Sequence, residues 1–252
     1  MRGIPTGLQD LDTLTGGWQG ADLVIITTPS SVSQMSLALS MALHVATTDQ
    51  HGVGLFSLEM HKHHIVQRLL AMRTGIDLYR LRTGWITDEE RTLVAAAART
   101  LSKAHLWIDD KADLSLVQLR QRAQQLVEIH RVALIMIDNI YLIQLNAHGK
   151  RHGNQAQDVG EKSRDLKALA QELNIPVVVG APIACALANR HSKGSQRSGP
   201  QESSPEKTVD HILFLDRDVR SHLATERKRT VTIIAYHGDG LVAHLHSYIQ
   251  KV

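Results

Sequence analysis

Short apolar runs rich in β-branched residues alternate with helical patterns along almost the whole chain. Seven such runs lie at 23–27, 54–57, 106–108, 132–137, 175–179, 211–215 and 230–234. Most are continuously apolar, which is typical of strands in a parallel sheet covered on both faces. Between them, apolar residues recur at three- and four-residue spacing over 36–48, 63–74, 88–104, 116–129 and 158–173, which predicts helices. The pattern predicts an α/β fold with a mostly parallel sheet flanked by helices on both faces.

The size of the chain fits one globular unit. It has 252 residues, of which 43% are apolar and 21% charged, so a disordered tail, a fibre and a disulfide mini-protein are excluded. No internal repeat, coiled-coil heptad or separate linker is visible, and we expect residues 1–252 to form a single domain. No segment reaches the roughly 18 uninterrupted apolar residues of a membrane span. We therefore expect a soluble protein.

Three features of the sequence bear on location and partners. The first residues show neither a secretory signal nor a transit peptide, and Cys185, the one cysteine, cannot form an internal disulfide. Both fit a reducing cytoplasm. The net charge is 28 − 25 = +3, with 15 histidines in addition. This charge permits a nucleic-acid partner but does not demand one.

Two segments, 144–160 and 188–208, do not fit the βα pattern. Both are polar, rich in Gly, Ser, Asn and Gln, and longer than a routine connection, so we expect either mobile loops with a function or disordered segments without one. Both are also locally basic.

Five motifs occur in order over nearly the whole chain. They are IPTGLQDLD at 4–12 with GGWQ at 16–19, FSLEM at 56–60, LRTG at 81–84, LIMID at 134–138 and DLKALAQELNIPVV at 165–178. Together they resemble the C-terminal, RecA-like motor domain of DnaB-type replicative helicases (superfamily 4). The resemblance implies a RecA-like fold, with LIMID as the Walker B strand. A set of motifs at the right spacing is far more specific than any one of them.

The loop after the first strand departs from the family. A phosphate-binding loop uses glycine backbone amides, a lysine and a Ser/Thr hydroxyl that holds Mg²⁺. Here residues 27–36 read TTPSSVSQMS, without glycine or lysine. If this loop has one residue more than the family's loop, Ser33 aligns with the last glycine of the family, Gln34 with the lysine and Met35 with the Mg²⁺ ligand. Ser36 is the only hydroxyl nearby. A neutral amide and a thioether are poor substitutes, so we predict a degenerate Walker A loop that has lost triphosphate affinity.

Two acids of the family's catalytic machinery are kept. By the resemblance, Asp138 is the Walker B carboxylate that holds the metal through water, and Glu59 is the base that polarises the attacking water. The alternative is structural: Asp138 caps the following turn and Glu59 pairs with a neighbouring base.

Two further family elements are missing. The family carries a glutamine that senses the γ-phosphate after the strand at 177–179, where this chain reads GAPI at 180–183. It also carries a Lys-x-Arg arginine finger, where this chain reads AYHGDG at 235–240. Arg227, Lys228 and Arg229 lie on the far side of the strand and are not assigned this role.

Three other groups of residues are candidates for binding. In the family two loops line the DNA channel; by resemblance these are 144–160 and 188–208, which offer phosphate contacts. The DNA-binding candidates are Lys150, Arg151, Arg190, Lys193 and Arg197. Neither loop contains an aromatic residue for base stacking, and the alternative is a merely solvated loop. His61 and His64 share a helix face at a spacing that can bind zinc or nickel, but without a further ligand nearby we predict no metal site, and Cys185 is expected to be a small buried residue.

These observations lead to three interpretations of function. The first is a non-hydrolysing DnaB-like accessory or regulatory factor of DNA replication that binds a replicative helicase, another replisome protein or single-stranded DNA, with no cofactor expected. The second is an active ATP-dependent helicase motor with a divergent phosphate loop, which would need ATP and Mg²⁺. The third is a structural subunit of a larger complex. Because the family's exchanged helix and collar domain are not seen before residue 4, we expect a monomer or weak oligomer.

Overall fold

The computed structural model describes residues 3–28, 31–48, 51–145, 155–182, 208–217, 228–237 and 240–250. The strands are β1 (Leu23–Thr28), β2 (Gly52–Phe56), β3 (Leu106–Asp109), β4 (Val132–Ile137), β5 (Val177–Pro182), β6 (His211–Arg217), β7 (Lys228–His237) and β8 (Gly240–Gln250). The helices are α1 (Gln9–Thr15), α2 (Ser31–Thr47), α3 (Lys62–Thr74), α4 (Leu78–Thr83), α5 (Asp88–Leu101), α6 (Leu116–His130) and α7 (Gln155–Leu173), and a 3-10 turn spans Ile140–Leu142.

These strands form one sheet in the order β3-β2-β4-β5-β1-β6-β7-β8. The first six strands of this order, from β3 to β6, pair in parallel. Strands β7 and β8 are added antiparallel at the β6 edge. The central strand β1 lies between β5 and β6, with Leu23 opposite Val177 and Val24 opposite His211. The predicted α/β class with a mostly parallel sheet is confirmed.

Helices pack on both faces of the sheet, as the continuously apolar strands predict. Alternate residues of a strand point to opposite faces: Val24 and Ile26 belong to one buried cluster, and Leu23 and Ile25 to the other. The first cluster receives side chains from α2 and α3, and the second from α6 and α7. The β1 strand is therefore buried from both sides, which explains why no polar residue interrupts its first four positions.

Several helix ends follow from local sequence signals. Ser115 and Thr87 each form a capping box, in which the hydroxyl accepts from the third helical N–H and the side chain of that third residue accepts from the cap. Helices α3 and α4 end at Gly75 and Gly84, both in the left-handed conformation (φ 71° and 73°) that glycine adopts at low cost.

The structure also corrects some predicted boundaries. Helix α7 begins at Gln155, so the last six residues of the loop predicted at 144–160 are helical. Val159 in this first part of the helix is buried in the core, which favours extending the helix across the polar residues around it. Helix α2 begins five residues before the predicted start, and α1, α4 and β8 were not predicted. Residues 146–154 and 188–207 of the predicted loops lie outside the described residues, and the single-domain assignment of 1–252 stays a prediction.

Candidate functional site

The carboxyl ends of β4, β5 and β1 meet beside the first turn of α2. In parallel α/β sheets this edge is where ligands bind. The loop between β1 and α2 was predicted to be the former phosphate loop, and Asp138 directly follows β4. The structure therefore brings Gln34 and Asp138, which are 104 residues apart, to one place.

Gln34, which the sequence analysis aligned with the phosphate-binding lysine of the family, is buried. Its side chain is 5% exposed, and Nε2 donates a 2.8 Å hydrogen bond to the backbone carbonyl oxygen of Asp138. Its Oε1 is buried and has no hydrogen-bond partner among the described residues. An unpaired buried oxygen is costly, so packing around Gln34 must offset that cost.

Gly180 on β5 leaves the space that the Gln34 amide occupies. A Cβ atom at this position would lie 1.8 Å from Gln34 Nε2 and 2.2 Å from the carbonyl oxygen of Asp138. Beneath the amide, a cavity of about 10 Å³ is lined by apolar side chains such as Ile26, Met136 and Val178. This volume is at the lower limit for one water molecule, so little space is left between the Gln34 amide and these apolar side chains.

The carboxylate of Asp138 holds the turn that follows β2. Oδ1 accepts a hydrogen bond from the backbone N–H of Leu58 (3.0 Å), and Oδ2 accepts from the N–H of Glu59 (3.1 Å). The hydroxyl Oγ of Ser57 lies 2.9 Å from Oδ2 and 2.7 Å from the carbonyl oxygen of Met60. Because a hydroxyl carries one proton, it donates to one of these two acceptors at a time.

Burial governs the protonation of Asp138. The residue is only 6% exposed, and this desolvation raises the pKa of its carboxyl group above the ordinary value for an aspartate. The hydrogen bonds from Leu58, Glu59 and Ser57 oppose the shift, and the negative charge of Glu59 adds to it. Desolvation is the largest of these effects, so the neutral acid is favoured more than in water.

Neither part of the structural alternative for the two acids is seen in the described residues. Asp138 does not cap the turn that follows it, because the side chain of Asn139 accepts the hydrogen bond from the N–H of Tyr141 (3.0 Å). Asp138 supports the turn after β2 instead. Glu59 is exposed, and within the described part of the chain it makes no ion pair, although its charge favours the protonated form of Arg68.

The other predicted nucleotide-binding residues lie along the start of α2. Met35 is 8% exposed and packs into the core beside the small cavity. Ser36 is also buried, and the side chain of Ser33 lies outside the described residues.

Comparison with known proteins identifies the family. The model of the DnaB-like helicase C terminal domain matches residues 3–251. The replicative DNA helicase DnaB of Geobacillus stearothermophilus is 36% identical over 233 residues, and the replicative DNA helicase DnaC of Bacillus subtilis (strain 168) is 35% identical over 233 residues. The chain belongs to the DnaB-like helicase C-terminal domain family. Both alignments cover 92% of this chain and 51% of the relative, so the chain spans about half the length of these relatives.

Solved structures agree with the DnaB-like assignment. A DnaB-like replicative helicase, described with its interactions with primase, is 26% identical with a TM-score of 0.79, covering 97% of this chain and 59% of that one. A second solved structure, of an ATPase domain, is 25% identical with a TM-score of 0.80, covering 99% of this chain and 92% of that one. The predicted resemblance and the predicted RecA-like fold are confirmed.

The remaining predictions for this DnaB-like domain fall at the edges of the described chain. The stretch 235–240, where the arginine finger was predicted to be missing, covers the last residues of β7 and the first residue of β8, and residues 238–239 lie outside the described residues. Lys228 and Arg229 pair with Gln250 and Ile249 at the opposite end of that hairpin, as predicted. The DNA-binding candidates Lys150, Arg151, Arg190, Lys193 and Arg197 lie outside the described residues, as does Cys185.

The histidine-rich start of α3 shows no metal cluster in the described ranges. His61 precedes the helix and its Nδ1 lies 3.6 Å from Asp110 Oδ2, while the centres of the His63 and His64 rings are 3.9 Å apart.

Among the helices that the structure describes, none combines the length and the apolar character that a membrane span requires.

Sequence reasoning missed three contributors to the site: Ser57, Asn139 and Gly180. Ser57 and Asn139 carry no signal beyond lying in or next to a recognised motif. Gly180 could have been noticed, because a glycine inside an apolar strand marks a close approach of another group.

Proposed function

We propose that this domain is a non-hydrolysing accessory or regulatory factor of DNA replication in the cytoplasm. It binds a replicative helicase or another replisome protein, or single-stranded DNA. The observation that supports the proposal is that the Gln34 side chain is buried and bonded to the Asp138 carbonyl; Gln34 is the residue that the sequence resemblance aligns with the phosphate-binding lysine.

The residues at this edge of the sheet do not fit a triphosphate with Mg²⁺. Gln34 is neutral and its amide is already used within the protein. Met35 brings a thioether where a hard cation requires oxygen. Both carboxylate oxygens of Asp138 already accept hydrogen bonds from the 57–59 turn. The chemistry of Gln34, Met35 and Asp138 best supports a degenerate Walker A loop and a domain without ATPase activity.

Relatives support a role in the replisome. The proteins that match over 92% of this chain are named replicative DNA helicases, and a structural neighbour is described with its interactions with primase. A domain that keeps this fold can keep its protein-binding surfaces without the chemistry. We also propose a monomer or weak oligomer, because nucleotide would no longer bridge neighbouring subunits, with Lys150, Arg151, Arg190, Lys193 and Arg197 as contacts to DNA phosphates.

A binding titration with Mg-ATP tests the proposal directly. We expect no saturable binding up to millimolar nucleotide and no steady release of phosphate. Micromolar affinity, or turnover that disappears in the Asp138→Asn variant, would overturn the proposal, because that loss would assign the activity to this site and not to a contaminating ATPase.

One observation favours a second function, an active helicase motor with a divergent phosphate loop. Asp138 and Glu59 are both present, and the backbone of Glu59 is bonded to the Asp138 carboxylate, so the two acids are held together as a hydrolytic site would need. The Mg-ATP titration separates the two functions. The third interpretation, a structural subunit, predicts no salt-dependent DNA binding and no effect of replacing Lys150, Arg151 and Arg197 by Ala.

A further inference from the structure

The sheet ends in two edge strands of very different length. Strand β8 (Gly240–Gln250) has 11 residues, whereas β3 (Leu106–Asp109) at the opposite edge has four and ends in an aspartate. Strand β8 pairs with β7 on one side, and no described strand pairs with its other side. In an antiparallel pair, alternate residues direct their N–H and C=O groups away from the partner strand. The outer edge of β8 therefore presents a long row of backbone donors and acceptors.

Strand β8 lacks the features that usually protect such an edge. Proteins prevent edge strands from pairing with other chains by keeping them short, or by placing charged residues, proline or bulges on them. Residues 240–250 read GLVAHLHSYIQ, with no Asp, Glu, Lys, Arg or Pro. The register of the β7–β8 pair shifts once, between Ala235 and Tyr236 near the hairpin end, and the pairing is continuous over 243–250. A long, uncharged edge of this kind is a template for one more strand.

The rest of the domain holds β8 in place. Both α1 and α2 contact this strand, and its pairing with β7 extends from Lys228 opposite Gln250 to His237 opposite Gly240. A strand that is already fixed loses little conformational entropy when another strand pairs with it.

A second copy of this chain is the partner that matches this edge. Two β8 strands related by a twofold axis run antiparallel, so that each edge donates hydrogen bonds to an identical edge and accepts them from it. Because β8 carries no Asp, Glu, Lys or Arg, no like charges meet when the two strands pair. A charged strand of another protein would lose hydration without finding a charged partner on β8.

We infer that the outer edge of β8 is a dimerisation surface, on which β8 of a second copy pairs antiparallel and joins the two sheets. This contact uses neither the β1–α2 loop nor Asp138, so it needs no nucleotide and can hold or fail independently of the Mg-ATP titration. Because one pair of strands buries little surface, we expect a dissociation constant of about 10–100 µM. Such a dimer is a specific form of the weak oligomer proposed above.

Sedimentation velocity without nucleotide, at a pH of about 8 where histidines are neutral, tests the inference. The wild type should change from monomer at about 1 µM to dimer at about 200 µM. In His244→Lys/His246→Lys, the positive charges in the middle of β8 would meet those of the second copy, and the dimer should be at least about tenfold weaker. The variant His244→Glu/His246→Glu should be weakened in the same way. An equimolar mixture of these two variants should form a heterodimer, because opposite charges then meet.

The double variant Gln121→Lys/Gln125→Lys is the matched control. Both glutamines are exposed on α6, so the same two charges are added away from β8, and the dimer should weaken by less than about twofold. Urea unfolding verifies that each variant is folded. The inference is wrong if the wild type stays monomeric at the highest concentration, or if the β8 variants dimerise as the control does. It is also wrong if the mixture of folded β8 variants stays monomeric.

Hydrogen exchange of the wild type, followed by mass spectrometry, needs no variant and applies even if the β8 variants do not fold. The amides of residues 240–250 should exchange more slowly at high protein concentration than at low concentration, because the dimer protects them. Equal exchange of these amides in a protein that dimerises would contradict the inference, since the dimer would then use another surface.

Discussion

Replacing Gly180 by Ala tests whether the Gln34 amide packs against Gly180 and the Asp138 carbonyl. The new Cβ would lie 1.8 Å from Gln34 Nε2 and 2.2 Å from the Asp138 carbonyl oxygen. Both contacts are more than about 1 Å shorter than van der Waals separations of about 3.5 Å. Gln34 can swing away, but the Asp138 oxygen belongs to the backbone, so β4 and β5 must also move apart.

The expected cost combines two effects. Overpacking a dense core by one methyl group costs about 1–3 kcal/mol, and displacing Gln34 leaves the Asp138 carbonyl unpaired, which costs about 1–3 kcal/mol more. Part of this is offset because Gln34 Oε1, which has no described partner, regains water. We expect Gly180→Ala to lower the free energy of unfolding by about 3 kcal/mol, a decrease in Tm of roughly 6–12 °C for a domain of this size.

Urea unfolding of the wild type and four variants (Gly180→Ala, Gln34→Ala, their double variant and a control) measures this cost. Gly54→Ala on β2 is the matched control, because the two closest atoms to its Cβ would be the ends of the Ile135 and Leu126 side chains (2.9 Å each), which can rotate, and Val132 Cγ1 would lie at an ordinary contact distance (3.5 Å). We expect it to cost about 1 kcal/mol. The double variant Gln34→Ala/Gly180→Ala should be about 1 kcal/mol more stable than the sum of the two single substitutions predicts. The reason is that the overlap between the new Cβ and Gln34 Nε2 is absent in the double variant. The reasoning is refuted if Gly180→Ala is as stable as Gly54→Ala, or if the two substitutions are additive.

Three further predictions concern stability. Desolvation raises the pKa of Asp22, but the hydrogen bonds and charges around it, led by His211, lower this pKa below its ordinary value overall. The stability that the Asp22 carboxylate contributes is therefore fully present above the unfolded pKa of about 3.9, and it is lost as the pH falls through the folded pKa. Asp22→Asn should therefore flatten the acid limb of a stability-versus-pH curve, and an unchanged limb would contradict this. Ser115→Ala removes a capping box and should cost about 1 kcal/mol by urea unfolding; a cost below about 0.3 kcal/mol would count against the cap. Ser57→Ala removes the hydroxyl between Asp138 and the 57–60 turn and should cost about 1–2 kcal/mol by the same measurement, with a neutral result showing that the turn does not depend on it.

Much of the fold was predictable because its signals are local. Continuous apolar runs placed the strands of the parallel sheet, and the 3.6-residue spacing placed the longer helices. Helix α1 was missed because it spans seven residues (Gln9–Thr15) with Leu11 as its buried anchor, too short to show a period. The start of α7 was predicted as a loop because three of its first four residues are polar, whereas Val159, one turn further along, is buried in the core.

The candidate site also has features that the sequence predicts and features that depend on the tertiary structure. The absence of a lysine and of glycines in residues 27–36 is a fact of the sequence, and so is the presence of Asp138 at the end of an apolar run. Where the Gln34 amide goes could not be predicted, because it depends on a backbone carbonyl 104 residues away and on the missing Cβ of Gly180.

By itself, the order of apolar runs and motifs determined the α/β architecture and the family, since hydrophobic periodicity and motif spacing are written in neighbouring residues. The tertiary structure alone decided that the Gln34 amide packs against Gly180 and bonds to the Asp138 carbonyl, and that the Asp138 carboxylate supports the 57–60 turn. These contacts join residues far apart in the chain, and each depends on distances of a few ångströms set by how helices and strands pack.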